Sequence, residues 1–151
     1  MEKATQLLGH HYSLEGKIVK GNQVGRTLGF PTLNLDADKQ LIPASGVYCG
    51  RIWLRSPSAK AEAPVLKVDE SLLLKAVFSI GSRPTFHAEN ETPPIYVEAH
   101  SLDPLEDKKE HYSSQAAFFF ERNIRDMIKF NSIEDLKKQI HKDVLLARKL
   151  L

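Results

Sequence analysis

The chain has 151 residues, of which 42% are hydrophobic, so it is long enough for one domain with its own core and short for two. Its 21 basic and 19 acidic residues leave a net charge of +2, without the basic excess typical of nucleic-acid binders. Cys49 is the only cysteine, which excludes an intramolecular disulfide and a multi-cysteine zinc site and fits a reducing compartment. No apolar run approaches a membrane span and the N-terminus lacks a signal-peptide core. We therefore expect a cytoplasmic monomer without membrane or nucleic-acid partners, although an organellar location stays open.

The predicted elements begin with a short helix over residues 4–9, which a glycine closes. Short runs rich in β-branched and aromatic residues follow, each bounded by Gly, Pro, Asn or Asp, as strands usually are. They predict strands at residues 16–20, 46–55, 72–80, 95–102 and 115–121. Residues 56–71 hold two prolines and alternating charges, and this composition predicts a long exposed hairpin connection.

The last predicted element is an amphipathic helix over residues 132–151. Ser132 and Asp135 approximate a capping box at its start. Apolar side chains then recur at three- and four-residue spacing: Ile133, Leu136, Ile140, Val144, Ala147 and Leu151. Many short strands with one terminal helix favour a mainly all-β domain over residues 1–151, with residues 1–15 as a lead-in. Its sheet is expected to be a closed or nearly closed antiparallel barrel, with the helix across its outside or one end.

A glycine-rich run, GKIVKGNQVGRTLGFPTLN at residues 16–34, is the most informative stretch. Its glycines offer backbone N–H groups, while Lys20 and Arg26 add positive charge and the Pro-Thr-Leu-Asn end adds neutral oxygens. That combination suits a polyphosphate with its Mg²⁺. The glycines follow neither the G-x-x-x-x-G-K-[ST] pattern nor the G-x-G-x-x-G pattern of common nucleotide sites.

Thr32 and Asn34 are two positions apart, so on extended backbone both side chains project to one face while Leu33 points to the other. Two neutral oxygens can then meet one cation and leave room for the negative charge of a nucleotide. The alternative is an ordinary turn and strand, in which both side chains only hydrogen-bond to backbone. The preceding glycine-rich run favours the metal site.

Glu98 and His100 form a second candidate pair on one face of a predicted strand. A kinase that acts on an alcohol needs a group to orient the hydroxyl and accept its proton, and a carboxylate can do this. A solvent-facing glutamate and a hydrogen-bonded structural histidine are the alternatives.

The run at residues 16–34 resembles the signature G-x-V-x-x-G-x-x-x-G-R-x-L-G-F-P-T-x-N of the riboflavin kinase family, with Ile18 at the usual valine. Residues 97–100, V-E-A-H, resemble the family's x-E-[TVA]-H strand, whose glutamate is the proposed catalytic base, so the resemblance assigns that role to Glu98. It covers roughly residues 7–147. Residues 7–14 are also similar to the entry of the kinase module in bacterial bifunctional riboflavin kinase/FAD synthetases, and a free-standing kinase or a module of a longer protein both stay open.

Two further segments match family motifs near the flavin. Residues 79–86 resemble N-I-G-x-R-P-T-F, with Ser79 at the usual asparagine, which implies Arg83 near phosphate or flavin oxygen and Phe86 against an apolar ring. A turn with a surface arginine and a core phenylalanine is the alternative. Residues 124–130 resemble L-R-[DP]-E-x-x-F, which implies Arg125 at the flavin pocket, with an ion pair near the terminal helix as its competitor.

The clearest departure lies at residues 110–113. The family usually has D-[LF]-Y-G in a flexible loop over the nucleotide, and this chain has E-H-Y-S there, after about two extra residues. Only Tyr112 is retained. Ser113 lacks the freedom of glycine at positive φ, which affects loop closure or substrate affinity rather than the reaction type. Alternatively, Ser113 adopts an ordinary conformation in a surface loop.

The resemblance implies a six-stranded antiparallel, Greek-key-like barrel with a C-terminal helix and the activity of an ATP:riboflavin 5′-phosphotransferase, which makes FMN and ADP. MgATP is expected at Gly21, Gly25, Arg26 and Tyr112, with Mg²⁺ at Thr32 and Asn34. A non-catalytic flavin- or nucleotide-binding barrel is the alternative, and a nucleic-acid-binding barrel is a distant third. A pure binder has no need of a base, so the retained Glu98 argues for the enzyme.

Overall fold

The computed structural model describes residues 1–21, 24–37, 40–55, 73–82, 94–105 and 111–151. Its elements follow in chain order: α1 (Glu2–Leu8), β1 (Tyr12–Val19), α2 (Val24–Thr27), β2 (Leu33–Asp36), β3 (Gly46–Leu54), β4 (Leu74–Ser82), β5 (Ile95–Ser101), β6 (Gln115–Arg125) and α3 (Ile133–Leu150). No helix within these ranges is long and apolar enough to cross a membrane.

The six strands form a closed antiparallel barrel in the order β1-β2-β5-β4-β3-β6. Strand β1 closes it by pairing with β2 on one side and β6 on the other. Strands β2 and β5, and β3 and β6, are neighbours although they are distant in sequence, which gives the Greek-key-like connectivity. The predicted barrel with a C-terminal helix is therefore confirmed.

The barrel interior is filled by aromatic and aliphatic side chains from alternate strand positions. The ring of Phe78 lies 5.3 Å from that of Phe118 and 4.7 Å from that of Phe120, centroid to centroid. On β5 the alternation places Val97 and Ala99 in this core. Residues Glu98 and His100 consequently face the outside of the barrel, on the opposite side of the strand.

Helix α3 packs on the outside of the barrel. It begins as its sequence predicts, because the Ser132 hydroxyl accepts a hydrogen bond from the backbone N–H of Asp135 at 3.1 Å. Val144 and Ala147 of the helix are buried against Cys49 and Leu102. The apolar stripe of the helix thus covers an outer face of the barrel rather than completing its interior.

Several element boundaries differ from the predicted ones. Helix α1 ends one residue earlier than predicted, and Gly9 follows it in the left-handed conformation, with φ of 76°. Strand β1 begins earlier, and β6 runs on to Arg125, since its polar end still pairs with β3 across two register shifts. The short elements α2 and β2 were not predicted as separate elements. The predicted hairpin connection at residues 56–71 lies outside the described residues.

Candidate active site

Three polar residues form a row across the outer face of three neighbouring strands. Asn34 of β2 lies directly opposite Glu98 of β5, and Glu98 lies directly opposite Ser79 of β4. Residues that face each other in antiparallel strands project to the same side of the sheet, so their side chains are neighbours. Glu98 is half-buried, and Asn34 is only 8% exposed. The fold therefore brings Asn34 to Glu98, although 64 positions separate them in sequence.

The Thr32 hydroxyl donates a hydrogen bond to Oε2 of Glu98 at 3.2 Å. Asn34 Oδ1 is buried and has no hydrogen-bond partner among the described residues. A buried oxygen without a partner is costly unless something else satisfies it. The Thr32 hydroxyl and the Asn34 carbonyl are neutral oxygen ligands of the kind Mg²⁺ accepts beside phosphate and water. These two side chains thus fit a magnesium ion.

Gly21 lies against the Asn34 side chain. A Cβ built on Gly21 would overlap the side-chain amide of Asn34, so only glycine lets the backbone pass this close. This contact places residue 21, after the end of β1, beside the unpartnered oxygen of Asn34. The glycine-rich run and the Pro-Thr-Leu-Asn segment therefore meet in space as well as in sequence.

The segment between α2 and β2 is held by one hydrogen bond to α2 and by two contacts with His100 of strand β5. The Phe30 N–H donates to the Gly25 carbonyl at 2.8 Å, and Gly29 takes a φ of 87° at the turn between them. His100 Nδ1 donates to the Pro31 carbonyl at 3.0 Å. The Phe30 ring meets the imidazole of His100 edge-on, with centroids 5.5 Å apart. His100 thus anchors the segment that carries Thr32 and holds this threonine near Glu98.

A pocket of about 500 Å³ opens between this segment, the outer face of the barrel and helix α3. Thr32, Ser79, Glu98 and His100 contribute polar groups on the barrel side. Most of its remaining wall is apolar: Leu28, Phe30, Val47, Val77, Met127, Ile128, Phe130, Leu136, Ile140 and Val144. A concave apolar pocket with a few convergent polar groups is the usual form of a small-molecule site.

The pocket wall also holds a buried ion pair. Arg125 Nε lies 3.0 and 3.1 Å from the two carboxylate oxygens of Asp143, and Arg125 Nη2 lies 2.7 Å from Oδ2. Gln139 donates to the same carboxylate at 2.9 Å. The side chains of the pair are 17% and 5% exposed. Arg125 therefore lines the pocket and forms the ion pair near the helix, so its two sequence interpretations are compatible.

The other predicted site residues fall at different distances from this pocket. Gly25 lines it, whereas Arg26 is exposed on α2 and Tyr112 packs, partly buried, against the barrel core. Arg83 and Phe86 lie outside the described residues. The structure thus brings together Gly21, Gly25, Thr32, Asn34, Glu98 and Arg125.

Ser113 adopts a φ of 66°, a left-handed conformation that residues other than glycine rarely take. The alternative that it has an ordinary conformation is therefore wrong. Its N–H donates to the Ile18 carbonyl at 2.8 Å, and the Ile18 N–H donates to the Ser114 carbonyl at 3.0 Å. These two hydrogen bonds hold the turn against β1 and oblige Ser113 to keep the conformation that suits glycine.

Sequence reasoning missed the pocket wall contributed by Met127 and Ile128, and it missed Asp143 and Gln139. Asp143 carried a signal, because it falls within the apolar stripe of α3, between Ile140 and Val144. A charged residue on the buried face of a helix needs a partner. The partner is Arg125, which only the fold could identify.

The chain is similar to known proteins in sequence and in fold. A family model described as riboflavin kinase (flavokinase) matches residues 8–151. The chain is 32% identical over 148 residues to a bifunctional riboflavin kinase/FMN adenylyltransferase of Haemophilus influenzae, covering 98% of this chain and 41% of that protein. It is 34% identical over 145 residues to the protein of the same description from Escherichia coli K12, covering 96% and 40%. The chain thus spans about two fifths of the length of these relatives.

Two solved structures share the fold. A riboflavin kinase from Trypanosoma brucei superposes with a TM-score of 0.60 at 26% identity, over 92% of this chain and 76% of that one. A Streptococcus pneumoniae structure described as a macrolide-efflux protein superposes with a TM-score of 0.75 at 28% identity, over 97% and 41%. The family match extends over nearly the whole chain and includes the glycine-rich run, the Thr32–Asn34 segment and Glu98. This chain belongs to the riboflavin kinase family.

Proposed function

We propose that this chain is an ATP:riboflavin 5′-phosphotransferase, which transfers the γ-phosphate of ATP to the riboflavin 5′-hydroxyl and makes FMN and ADP. The observation that carries the proposal is the position of Glu98. Its carboxylate lines an apolar-walled pocket of about 500 Å³ and accepts a hydrogen bond from Thr32. Family membership supports the same reaction. A barrel that only binds flavin or nucleotide is less favoured, because binding alone does not need a carboxylate at this position.

Riboflavin has a flat apolar ring system and a polar ribityl chain, and the pocket has a matching division. We place the ring between the barrel and α3, beside Met127, Ile128 and Phe130. The ribityl chain then runs toward Glu98, which accepts the proton of the 5′-hydroxyl as the oxygen–phosphorus bond forms. The bond from the γ-phosphorus to the leaving oxygen breaks in the same displacement, and ADP leaves with those electrons.

ATP is assigned to the side of Glu98 where Gly21 meets Asn34. Gly21, Gly25, Arg26 and Tyr112 are the proposed nucleotide contacts, and the family motifs support them. Thr32 and Asn34 would hold Mg²⁺, which neutralises phosphate charge and orients the transferred group. Because a hydroxyl can donate one hydrogen bond while its oxygen accepts, Thr32 can serve the ion and Glu98 together.

The flavin contacts are proposed from the riboflavin kinase motifs, and the oligomeric state and location from the composition of the chain. Arg83 and Phe86 are proposed flavin contacts, and Arg125 is proposed as a third, which the pocket wall supports. We propose that the protein acts as a monomer and in the cytoplasm.

The test is to incubate the purified protein with ATP, Mg²⁺ and riboflavin and to separate the flavins by chromatography. We expect FMN to form, and chelation of the Mg²⁺ to stop it. Binding of riboflavin without any FMN would support the non-catalytic barrel instead. If the protein neither binds riboflavin nor forms FMN, the proposed function is wrong.

A further inference from the structure

We propose that Asp143 and Gln139 of α3 are positioning residues, which hold the Arg125 guanidinium in the wall of the riboflavin pocket. The inference rests on the proposed function, because it concerns how the riboflavin site is assembled. Arg125 is the last residue of β6, and Asp143 lies in the middle of α3. Three nitrogen–oxygen distances of 2.7 to 3.1 Å join the two side chains. The helix thereby fixes where a barrel residue presents its charge.

Further contacts restrict the same guanidinium. Its Nη1 donates to the Asp126 carbonyl at 2.9 Å, and its carbon lies 6.0 Å from the Phe130 ring centre. On the other side, Gln139 donates to Asp143 Oδ1 one helical turn away. The carboxylate is therefore held by its own helix while it holds the arginine. Such support is what keeps a binding group within a fraction of an ångström of its working position.

Stability alone is a poor explanation for this pair. Taking two charges out of water costs several kcal/mol per ion, and an apolar pair of similar size is often as stable or more so. Asp143 is only 4% exposed and sits in the otherwise apolar stripe of α3, between Ile140 and Val144. The pair nevertheless faces the pocket, since both residues line it. A ligand that binds the Arg125 guanidinium would explain why this ion pair occupies the pocket wall despite its desolvation cost.

The chain offers a matched control in a second partly buried ion pair. Arg51 of β3 and Glu121 of β6 pair across the barrel surface, with side chains 32% and 14% exposed. Neither residue lines the pocket. Glu121→Gln removes a comparable charge from the same strand as Arg125, so it reports the effect of a lost ion pair without a lost pocket group.

The experiment measures riboflavin binding by fluorescence quenching, the KM for ATP, and the melting temperature. It uses Asp143→Asn, Arg125→Met, the double variant Arg125→Met/Asp143→Leu, and Glu121→Gln. We expect Asp143→Asn to weaken riboflavin binding about tenfold, a typical effect for coupled neighbours. The KM for ATP should stay within about twofold, and Glu121→Gln should leave riboflavin binding within about twofold as well. The double variant should regain melting temperature relative to Arg125→Met, because it leaves no unpaired carboxylate, yet its riboflavin affinity should stay as low.

If Asp143→Asn unfolds, Gln139→Leu takes its place, because it keeps both charges of the pair and removes only the hydrogen bond that holds the Asp143 carboxylate. We expect it to weaken riboflavin binding, and wild-type affinity in the folded variant would contradict the positioning role. The double variant lacks Arg125, so it tests whether the guanidinium itself contributes to binding. Wild-type affinity in either Asp143→Asn or the double variant would overturn the inference, since the pair would then be structural only. An equal loss with Glu121→Gln would overturn it too. If wild-type protein makes FMN while Asp143→Asn and Glu121→Gln have equal riboflavin affinities, the proposed function survives and the positioning role fails. Absence of riboflavin binding by wild-type protein would overturn both.

Discussion

The Thr32 hydroxyl donates to the Glu98 carboxylate across 3.2 Å, although 66 positions separate the two residues in sequence. The pairing of β2 with β5 creates this contact, because it sets Asn34 directly opposite Glu98 and brings the preceding residues alongside. The proposed metal-binding segment and the proposed base are therefore one structural unit. A change in one of them is expected to disturb the other through a single hydrogen bond.

Thr32→Ala and Asn34→Ala should each raise the Mg²⁺ concentration needed for half-maximal activity, by about tenfold or more. Each removes one proposed oxygen ligand, and riboflavin binding without nucleotide should change little. Thr32→Ser keeps the hydroxyl and is the matched control. Titration of Mg²⁺ against FMN formation measures the effect. Unchanged Mg²⁺ dependence in both alanine variants would reduce this segment to a structural turn.

Gly21→Ala should reproduce the Asn34→Ala phenotype, because the added methyl would overlap the Asn34 amide and displace it. The comparison variant is Gly81→Ala, whose methyl would meet only the flexible Met127 side chain, at 3.4 Å. Mg²⁺ titrations of the two variants can be compared directly. A Gly21→Ala protein with normal Mg²⁺ dependence would show that the contact between Gly21 and Asn34 does not matter for the metal.

Ser113→Gly should stabilise the protein by about 0.5–1 kcal/mol, since left-handed strain outweighs the added entropy of the unfolded chain. For a chain of this size that corresponds to about 1–4 °C in melting temperature. Ser114→Gly is the control, because Ser113 is the one non-glycine residue with positive φ in the described ranges. At position 114 glycine should instead destabilise by about 0.4–1 kcal/mol.

If the turn at Ser113 is part of a lid over ATP, Ser113→Gly should also change the KM for ATP while chemistry that depends on Glu98 continues. Steady-state kinetics with ATP varied at saturating riboflavin tests this. An unchanged KM for ATP would contradict the lid interpretation and leave only the effect on stability.

The buried thiol of Cys49 should make the free energy of unfolding depend on pH. Burial, and after it the nearby Glu121 carboxylate, raises the pKa of the Cys49 thiol above its ordinary value in the folded protein. The unfolded chain therefore loses this proton first as the pH rises, and the stability that the neutral thiol contributes is lost from about pH 9 upward. Denaturant unfolding at about pH 7 and about pH 10 should show the advantage of wild type over Cys49→Ala shrinking at the higher pH. A constant difference would contradict the buried, neutral thiol.

The barrel and its terminal helix were predictable because strand alternation and the Ser132 cap are local patterns. Helix α2 and strand β2 were not predicted as elements, since each has only four residues and too few positions to show a period. Strand β6 was predicted too short, because its last residues pair with β3 through bulges that hydrophobic alternation does not reveal.

The polar half of the site was visible in sequence motifs, and the apolar half was not. Thr32, Asn34 and Glu98 stand in short runs with recognisable spacing. Asp143 lines the pocket only because α3 folds back over the barrel, and Met127 lies in the connection between β6 and α3. No local pattern specifies where a helix docks. The backbone at Ser113 was also hidden, because its positive φ is imposed by hydrogen bonds to β1.

The most direct test of the central claim compares FMN formation by wild type and Glu98→Gln in a single turnover, with riboflavin already bound and saturating MgATP added. Glutamine has nearly the same size and can still accept the Thr32 hydrogen bond, but it cannot take the hydroxyl proton. We expect a folded protein that keeps much of its riboflavin affinity and forms FMN about 10²–10⁴ times more slowly. A folded Glu98→Gln protein that forms FMN at nearly the wild-type rate would contradict the assignment of Glu98 as the base.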